Sequence, residues 1–328
     1  MSIVAEVPGY LQVLSDGSVK RFNPEIASAS AEIINGYKSK DVIIDPSKPI
    51  TARIFLPGNA LADQIPVMVY FHGGGFCIGS TTWLGYHLFL GDLSVSAQSI
   101  ILSVDYRLAP ENRLPVAYED CYASLEWLST HVGTEPWLKK ADLSRVFLSG
   151  DSAGGNIVHN VAIKTIKNNI RNVNIKGLLP IHPYFGSEKR TEKEMENGSA
   201  EDVAMNDLFW GLSLPHGATR DYYGCNFEMV DLSMEEWSRF PNVVVYVAEL
   251  DFLKERGVMY AEFLKKKGLR DVELVEAKGE SHVFHVFHPE SEATSLLRTQ
   301  MAAFMIKSTA SASPKVDLLI QPSSQFGL

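Results

Sequence analysis

The stretch Val146-Phe147-Leu148-Ser149-Gly150-Asp151-Ser152-Ala153-Gly154 decides the fold of this chain. Its first three residues are apolar and predict a buried strand, and residues 156–167 that follow have the pattern of a helix. A G-x-S-x-G sequence between a strand and a helix is typical of a sharp, strained turn that exposes the serine hydroxyl. Its glycines are needed because a Cβ would collide with the neighbouring strand and helix. Ser152 is therefore a candidate nucleophile, and an ordinary glycine-rich turn is the alternative.

Outward from this turn, apolar runs alternate with helical patterns. Residues 67–71 and 100–104 are apolar at consecutive positions, as expected for strands covered on both faces. Further segments follow the same alternation: strands at 41–44, 52–56, 176–182, 243–248 and 272–277, and helices at 84–97, 115–131, 254–267 and 289–306. Strands that alternate with helices predict an α/β fold with a mostly parallel central sheet flanked by helices.

Three segments depart from this alternation. Residues 1–40 read as an extended arm in which Asp16-Gly17 favours a hairpin turn. In residues 185–240 the alternation of strand and helix patterns is absent. We interpret their charged run, 188–196, as a solvated loop. We interpret the aromatic-rich part after it as an insertion that covers another part of the protein. Residues 308–328 contain Ser and Pro without helical periodicity, so we expect a flexible tail. The sheet itself is predicted within one domain, residues 41–307.

Composition excludes several functional classes. The chain has 328 residues, 45% of them hydrophobic, and a net charge of −9, so a nucleic-acid partner is not expected. Its three cysteines have no metal-binding or disulfide spacing, which indicates a reducing compartment. The N-terminal sequence lacks the basic and apolar regions of a signal peptide, and no apolar stretch is long enough to span a membrane. A cytoplasmic protein without membrane association is predicted.

A second glycine-rich motif, His72-Gly73-Gly74-Gly75-Phe76, directly follows the apolar run 67–71. Consecutive glycines let backbone N–H groups turn toward one point and approach a ligand closely. Such donors can stabilise the negatively charged oxygen of a tetrahedral intermediate. A phosphate-binding turn is the alternative, but neither G-x-G-x-x-G nor G-K-[ST] is present.

A serine nucleophile needs an acid and a base, which on this kind of sheet follow it in the order acid, histidine. Asp251 and Glu249 both follow the predicted strand 243–248, and either carboxylate can fill the first role. His282 follows the strand 272–277 and competes with His285 and His288. The spacing of these histidines resembles that of metal ligands on a helix, but no cysteine or carboxylate motif accompanies them, so we predict no metal site.

These motifs together resemble one known family. His72-Gly73-Gly74-Gly75, Tyr106-Arg107-Leu108-Ala109-Pro110-Glu111 and Gly150-Asp151-Ser152-Ala153-Gly154 occur in the order found in the hormone-sensitive-lipase family of α/β-hydrolases. Asp16-Gly17-Ser18-Val19-Lys20-Arg21 and Ala52-Arg53-Ile54-Phe55-Leu56-Pro57 resemble its plant carboxylesterase branch in particular. The resemblance extends from about residue 10 to residue 306.

The resemblance implies an α/β-hydrolase fold with a helical cap and assigns roles to residues. Ser152 would be the nucleophile, with Asp251 and His282 as its partners. The N–H groups of Gly74, Gly75 and Ala153 would form the oxyanion hole. The arm and the insertion at about 185–240 would form the cap. Several aromatic and apolar side chains are candidates for the substrate pocket: Phe76, Trp83, Tyr86, Phe185, Phe209, Trp210 and Leu214.

The function implied is that of a serine carboxylesterase acting on small to medium carboxylic esters through an acyl-enzyme, without a cofactor. Two other functions are compatible with the same fold: a dehydratase or cyclase of plant specialised metabolism, and a binding protein resembling the gibberellin receptors. His282 argues against the receptor, because those receptors lack the catalytic histidine. The partner expected is a small-molecule ester, and the protein is expected to be a monomer or weak homodimer.

Overall fold

A computed structural model describes residues 1–310 of the chain. The strands are β1 (Ile3–Val7), β2 (Leu11–Leu14), β3 (Val19–Arg21), β4 (Tyr37–Asp45), β5 (Ile50–Pro57), β6 (Ile65–Phe71), β7 (Ile100–Asp105), β8 (Ala141–Asp151), β9 (Ile175–Ile181), β10 (Asn242–Ala248) and β11 (Val272–Ala277). The helices are α1 (Leu84–Ser96), α2 (Val116–His131), α3 (Ala153–Asn168), α4 (Glu192–Met195), α5 (Ala200–Ser213), α6 (Met234–Ser238), α7 (Lys254–Lys266), α8 (Phe284–Phe287) and α9 (Glu292–Ala310).

The central sheet has eight strands in the order β11-β10-β9-β8-β6-β7-β5-β4. Strands β6 to β11 pair in parallel, and β5 and β4 extend the sheet in antiparallel pairing. The predicted mostly parallel sheet is therefore confirmed. Because the carboxyl ends of parallel strands share one edge, the residues that follow β6, β8, β10 and β11 are brought together there.

Both faces of the sheet are buried, which explains its continuous apolar runs. Along β6, Val67 and Val69 belong to a core formed with α2, α3 and α7, whereas Met68 and Tyr70 belong to a second core on the side of α1 and α9. Alternate side chains of a strand point to opposite faces, so a strand covered on both sides needs apolar residues at every position.

The ends of three elements differ from the sequence-based expectations. Strand β4 begins at Tyr37, before the predicted residue 41, because its pairing with β5 continues to Tyr37 and Pro57. Helix α3 begins at Ala153, directly after the serine. Helix α9 continues to Ala310, so residues 308–310 are helical, and the rest of the predicted tail lies outside the described residues.

The N-terminal arm forms a small antiparallel sheet of β1, β2 and β3. The predicted hairpin is confirmed: β2 and β3 pair around Gly17, whose φ of 84° requires a glycine-like conformation. Arg21 then fixes the arm to the body. Its guanidinium donates to the carbonyl oxygens of Cys77 and Ala109 at 2.7 and 2.8 Å and pairs with Glu111 at 2.6 Å.

Residues 185–240 contain α4, α5 and α6. The interpretation of the charged run as a solvated loop was wrong in part, because α4 lies within it and Glu194 of that helix is buried. Both carboxylate oxygens of Glu194 accept hydrogen bonds at 2.9 Å from Arg256 of α7, which is also buried. A buried, bidentate ion pair of this kind fixes the insertion to the body.

Residues 1–310 include no helix that combines the length and apolar character needed to cross a bilayer. Cys77, Cys121 and Cys225 are free thiols and all three are buried.

Replacing Gly154 by alanine should destabilise the protein. A Cβ at this position would overlap the carbonyl oxygen of Phe71, which belongs to the backbone at the end of β6, where the strand pairs with β7 and β8. We expect a loss of about 1–3 kcal/mol in the free energy of unfolding, measured by urea denaturation. Gly211→Ala in α5 is the matched control: nothing lies within 4 Å of its Cβ, so it should gain about 0.5–1 kcal/mol. Equal stability of the two variants would contradict the tight packing between β6 and α3.

Candidate active site

Ser152 lies at the junction of β8 and α3 with φ 52° and ψ −118°, a backbone conformation that non-glycine residues rarely adopt. The turn is held in place by two backbone hydrogen bonds: Ser152 N–H donates to Ile181 O at 2.8 Å, and Tyr184 N–H donates to Ser152 O at 2.9 Å. Close packing of α3 against β6 and β9 therefore maintains the strain at this residue. The predicted strand-turn-helix context of the motif is confirmed.

Asp251 and His282 form a hydrogen-bonded pair at the same edge of the sheet. His282 Nδ1 lies 2.8 Å from Asp251 Oδ2, and Asp251 Oδ1 accepts the N–H of Leu253 at 2.8 Å. Glu249, the other candidate acid, is exposed and accepts the N–H of Gly279 instead. The structure thus places the buried carboxylate, not the exposed one, against the imidazole.

The other two histidines of the segment lie elsewhere. His285 is fully buried, and its Nε2 lies 3.4 Å from the Tyr70 hydroxyl. His288 is exposed. Helix α8 contains His285 but neither His282 nor His288, so the three histidines do not form one face of a helix.

The electrostatic environment favours the charged forms of both members of the pair. Burial lowers the pKa of His282, but the negative charge of Asp251, its hydrogen bond and the charge of Asp151 outweigh burial, so the pKa is raised above its ordinary 6.5. Burial raises the pKa of Asp251, yet the charge and hydrogen bond of His282 outweigh it, so this pKa is lowered. Asp251 is therefore ionised at neutral pH and stabilises an imidazolium.

His182, at the end of β9, is a site residue that the sequence analysis missed. Its Nδ1 accepts the N–H of Val283 at 2.9 Å, and its ring centroid lies 5.7 Å from that of His282. Burial lowers the pKa of His182 to about 3, so it is neutral and can act as an acceptor. Since Val283 has φ 48°, this hydrogen bond supports a strained residue directly after His282.

His182, Asp251 and His282 each bring one possible metal-ligand atom within 4.8 Å of the others. These side chains already bond to one another or to the backbone: Asp251 to His282, and His182 to Val283. A metal ion here would have to displace these bonds. The arrangement fits a hydrogen-bonded acid–base pair better than a metal centre.

The glycine-rich loop after β6 has its backbone arranged for donation. Gly74 and Gly75 have φ of 103° and 57°, and side chains there would overlap Ile78 and Phe209 respectively. In the part of the chain that the structure describes, no hydrogen bond engages the N–H groups of Gly74 and Gly75. Ala153, the third predicted donor, is buried at the first position of α3, where a helix has unpaired N–H groups.

Asp151, the residue before the serine, ties this loop to the turn. Its carboxylate is buried and accepts the hydroxyls of Tyr70 and Tyr86 at 2.7 and 2.8 Å and the N–H of Gly73 at 3.1 Å. Burial raises the pKa of Asp151, against the lowering effect of the two tyrosine hydrogen bonds. The sequence analysis did not assign a role to Asp151, because both tyrosines reach it only through the tertiary fold.

Ser152, Asp251 and His282 line one cavity of about 460 Å³, together with Gly74 and Gly75. Its other walls are mainly apolar, from the arm, the glycine loop, α5 and the segments after β10 and β11: Val7, Tyr10, Ile78, Trp83, Tyr86, Tyr184, Met205, Phe209, Leu250, Phe252, Leu253, Val283, Val286 and Phe287. A cavity of this size and polarity is typical of sites for small organic ligands.

Some predicted pocket residues line this cavity and others do not. Trp83, Tyr86 and Phe209 line it, whereas four others are core residues away from its walls: Phe76, Phe185, Trp210 and Leu214. Trp210 stacks on Tyr184 with ring centroids 4.4 Å apart, and Phe185 packs against Tyr260. For Trp210 the reason is helical geometry, since α5 turns Phe209 toward the cavity and Trp210 toward the core.

A protein-family model described as α/β hydrolase fold matches residues 68–286. An esterase of Pyrobaculum calidifontis has a similar structure, with a TM-score of 0.71, 30% identity, and coverage of 84% of this chain and 86% of that one. The chain therefore belongs to the α/β-hydrolase family, as its motifs predicted.

Relatives by sequence narrow this assignment to the plant carboxylesterase branch of the family. Probable carboxylesterase 6 of Arabidopsis thaliana is 37% identical over 87% of this chain and 85% of its own length. Tuliposide A-converting enzyme b2, amyloplastic, of Tulipa gesneriana is 35% identical over 92% of this chain and 80% of its own. The resemblance to plant carboxylesterases predicted from the sequence is confirmed.

Proposed function

We propose that the protein is a serine carboxylesterase that hydrolyses small to medium carboxylic esters through an acyl-enzyme. The observation that carries this proposal is Ser152 on a strained turn, in one cavity with a hydrogen-bonded pair of Asp251 and His282. The plant carboxylesterases and the solved esterases to which the chain is similar support the same reaction.

The mechanism follows from the charges and donors at the site. His282 accepts the Ser152 proton as Oγ attacks the ester carbonyl, while Asp251 holds the imidazole tautomer and stabilises the imidazolium. The N–H groups of Gly74, Gly75 and Ala153 donate to the oxygen that becomes negative. His282 then protonates the leaving alcohol, and water repeats the cycle on the acyl-enzyme.

Labelling with a fluorophosphonate tests this proposal without knowledge of the natural substrate. The intact mass should rise by one phosphonyl group located at Ser152. The rate of p-nitrophenyl butyrate hydrolysis should fall in proportion to the fraction of protein labelled. Acid released from the ester identifies hydrolysis. In a separate incubation with plant extract whose products are followed by mass, loss of water or rearrangement without acid release would favour the dehydratase or cyclase alternative. A protein that neither reacts with the phosphonate nor hydrolyses esters would overturn the proposal and favour a binding protein.

The pH dependence of kcat/KM should follow the His282 imidazole, which has to be neutral to accept a proton. Because its pKa is raised above 6.5, activity should fall about tenfold per pH unit below a midpoint that lies above 6.5. In Asp251→Asn the charge that raises this pKa is gone and burial remains, so the midpoint should move to lower pH. The pH dependence of the fluorophosphonate labelling rate gives the midpoint for both the wild type and Asp251→Asn. The same midpoint in both proteins would contradict the pairing of Asp251 with His282.

A cytoplasmic location and a monomeric or weakly dimeric state are part of the proposal. The free, buried cysteines are compatible with a reducing compartment. The tulip relatives are named amyloplastic, so fractionation of the native source is the relevant measurement.

A further inference from the structure

Helix α5 presents one face to the cavity that contains Ser152. Asp202, Met205, Asn206 and Phe209 line the cavity, and their spacing places them on one side of the helix over two turns. Phe209 packs so closely on the glycine loop that a Cβ at Gly75 would overlap its ring. The residues one turn earlier on this face are therefore held in a fixed position close to the reacting groups.

Asn206 is the polar residue in the middle of this face, and it is 6% exposed. Its backbone carbonyl accepts a hydrogen bond from the Tyr184 hydroxyl at 2.9 Å, and the backbone N–H of Tyr184 donates to the carbonyl of Ser152. These bonds connect the helix to the serine turn. By contrast, the side-chain Oδ1 of Asn206 is buried and has no hydrogen-bond partner among residues 1–310.

An amide oxygen inside a protein without a partner is unfavourable, and such groups are usually satisfied by water or a ligand. The terminal torsion of asparagine has a broad energy profile, so the amide can turn either its oxygen or its NH₂ group toward the cavity. It can therefore accept a hydrogen bond from a hydroxyl group or donate one to it. The neighbouring walls formed by Met205 and Phe209 offer no such partner.

Asp202 lies one turn before Asn206 on the same face and is exposed. It adds a second polar side chain to the face of α5 that lines the cavity. The two residues form a polar stripe in an otherwise apolar wall.

We propose that Asn206 is a specificity-determining residue that hydrogen-bonds a substrate hydroxyl group, so that the preferred substrates are hydroxylated esters. This inference rests on the proposed esterase function and adds the substrate class. A site that binds a substrate hydroxyl discriminates against the analogue without it, because the buried amide is then left unpaired.

Two pairs of esters test the inference and show which part of the substrate carries the hydroxyl. p-Nitrophenyl 3-hydroxybutyrate against p-nitrophenyl butyrate varies the acyl part, and glyceryl 1-monobutyrate against propyl butyrate varies the alcohol part. We expect the wild-type protein to prefer the hydroxylated member of one pair by about tenfold or more in kcat/KM. Asn206→Leu should abolish that preference, bringing the ratio of kcat/KM between the two members of that pair to about one.

Met205→Leu is the matched control, since it changes the same face without changing a polar group, and it should keep the preference. Asn206→Ala serves as a second variant that introduces no steric conflict, and thermal unfolding shows that each variant is folded. A wild-type protein without preference in either pair would overturn the inference, as would an unchanged preference in both Asn206 variants. A lower melting temperature with an unchanged preference would assign Asn206 a structural role only. Failure of the wild type to hydrolyse any of the four esters would instead count against the proposed function.

Discussion

Replacing Ser152 by alanine is expected to lower kcat for p-nitrophenyl butyrate by about 10⁶-fold. The alanine removes the atom that attacks the ester carbonyl, and no other hydroxyl has the position on the strained turn that brings Ser152 into the cavity with His282. The donors of the glycine loop remain, so a small activity above the uncatalysed rate should persist. Initial rates under saturating substrate, with mass-verified protein free of wild type, measure the effect.

His282→Ala is expected to cost about as much as Ser152→Ala, and the double variant should lose no more activity than either single variant. The serine and histidine act as a unit, because the hydroxyl is a weak nucleophile until its proton is accepted. His288→Ala is the matched control, since this exposed histidine of the same segment does not line the cavity and its loss should leave near wild-type activity. Full ester turnover by Ser152→Ala, or losses that multiply in the double variant, would contradict the assignment.

Replacing Asp251 by asparagine is expected to lower kcat by about 10⁴-fold with little change in the fold. The amide keeps the shape of the carboxylate but loses its charge, and its NH₂ group favours the imidazole tautomer with the proton on the wrong nitrogen. His282 would then neither be held correctly nor be stabilised when protonated. The loss should appear in kcat much more than in KM, because the interaction with Asp251 strengthens only as His282 becomes charged.

Glu249→Gln supplies the control for this prediction. Glu249 lies two residues away at the same strand end, but it is exposed and bonded to the N–H of Gly279. We expect its loss to change kcat by less than about threefold, since an exposed charge interacts weakly with the site. A larger effect from Glu249→Gln than from Asp251→Asn would reverse the assignment of the acid.

Much of the sheet could be predicted because each strand carries its own signal. The runs at β6, β7 and β8 are apolar at successive positions, which reflects burial on both faces and is a local property of the sequence. The turn at Gly17 was predictable for a similar reason, since its positive φ limits the residue type. The charged run around Glu194 was misjudged because its burial depends on Arg256, which lies far away in the chain.

The same distinction applies to the site. Residue types and their order indicated Ser152, the glycine loop, and a short set of acids and histidines. They did not distinguish the walls of the cavity, and Trp210 and Phe185 were expected there although both lie in the core. Helical spacing along α5 offered a usable signal, since Asp202, Met205, Asn206 and Phe209 repeat at the period of one face.

The sequence by itself determined the alternation of strands and helices, the strained turn at Ser152 and the glycine-rich donors, because each depends on steric or apolar preferences of neighbouring residues. Only the tertiary structure decided that Asp251 rather than Glu249 bonds His282, that His182 supports the loop of that histidine, and that Asn206 lines the cavity while its Oδ1 has no partner among residues 1–310. These features depend on distances between residues far apart in the chain. Such distances are set by how helices pack on the sheet, and the local pattern of residues does not predict them.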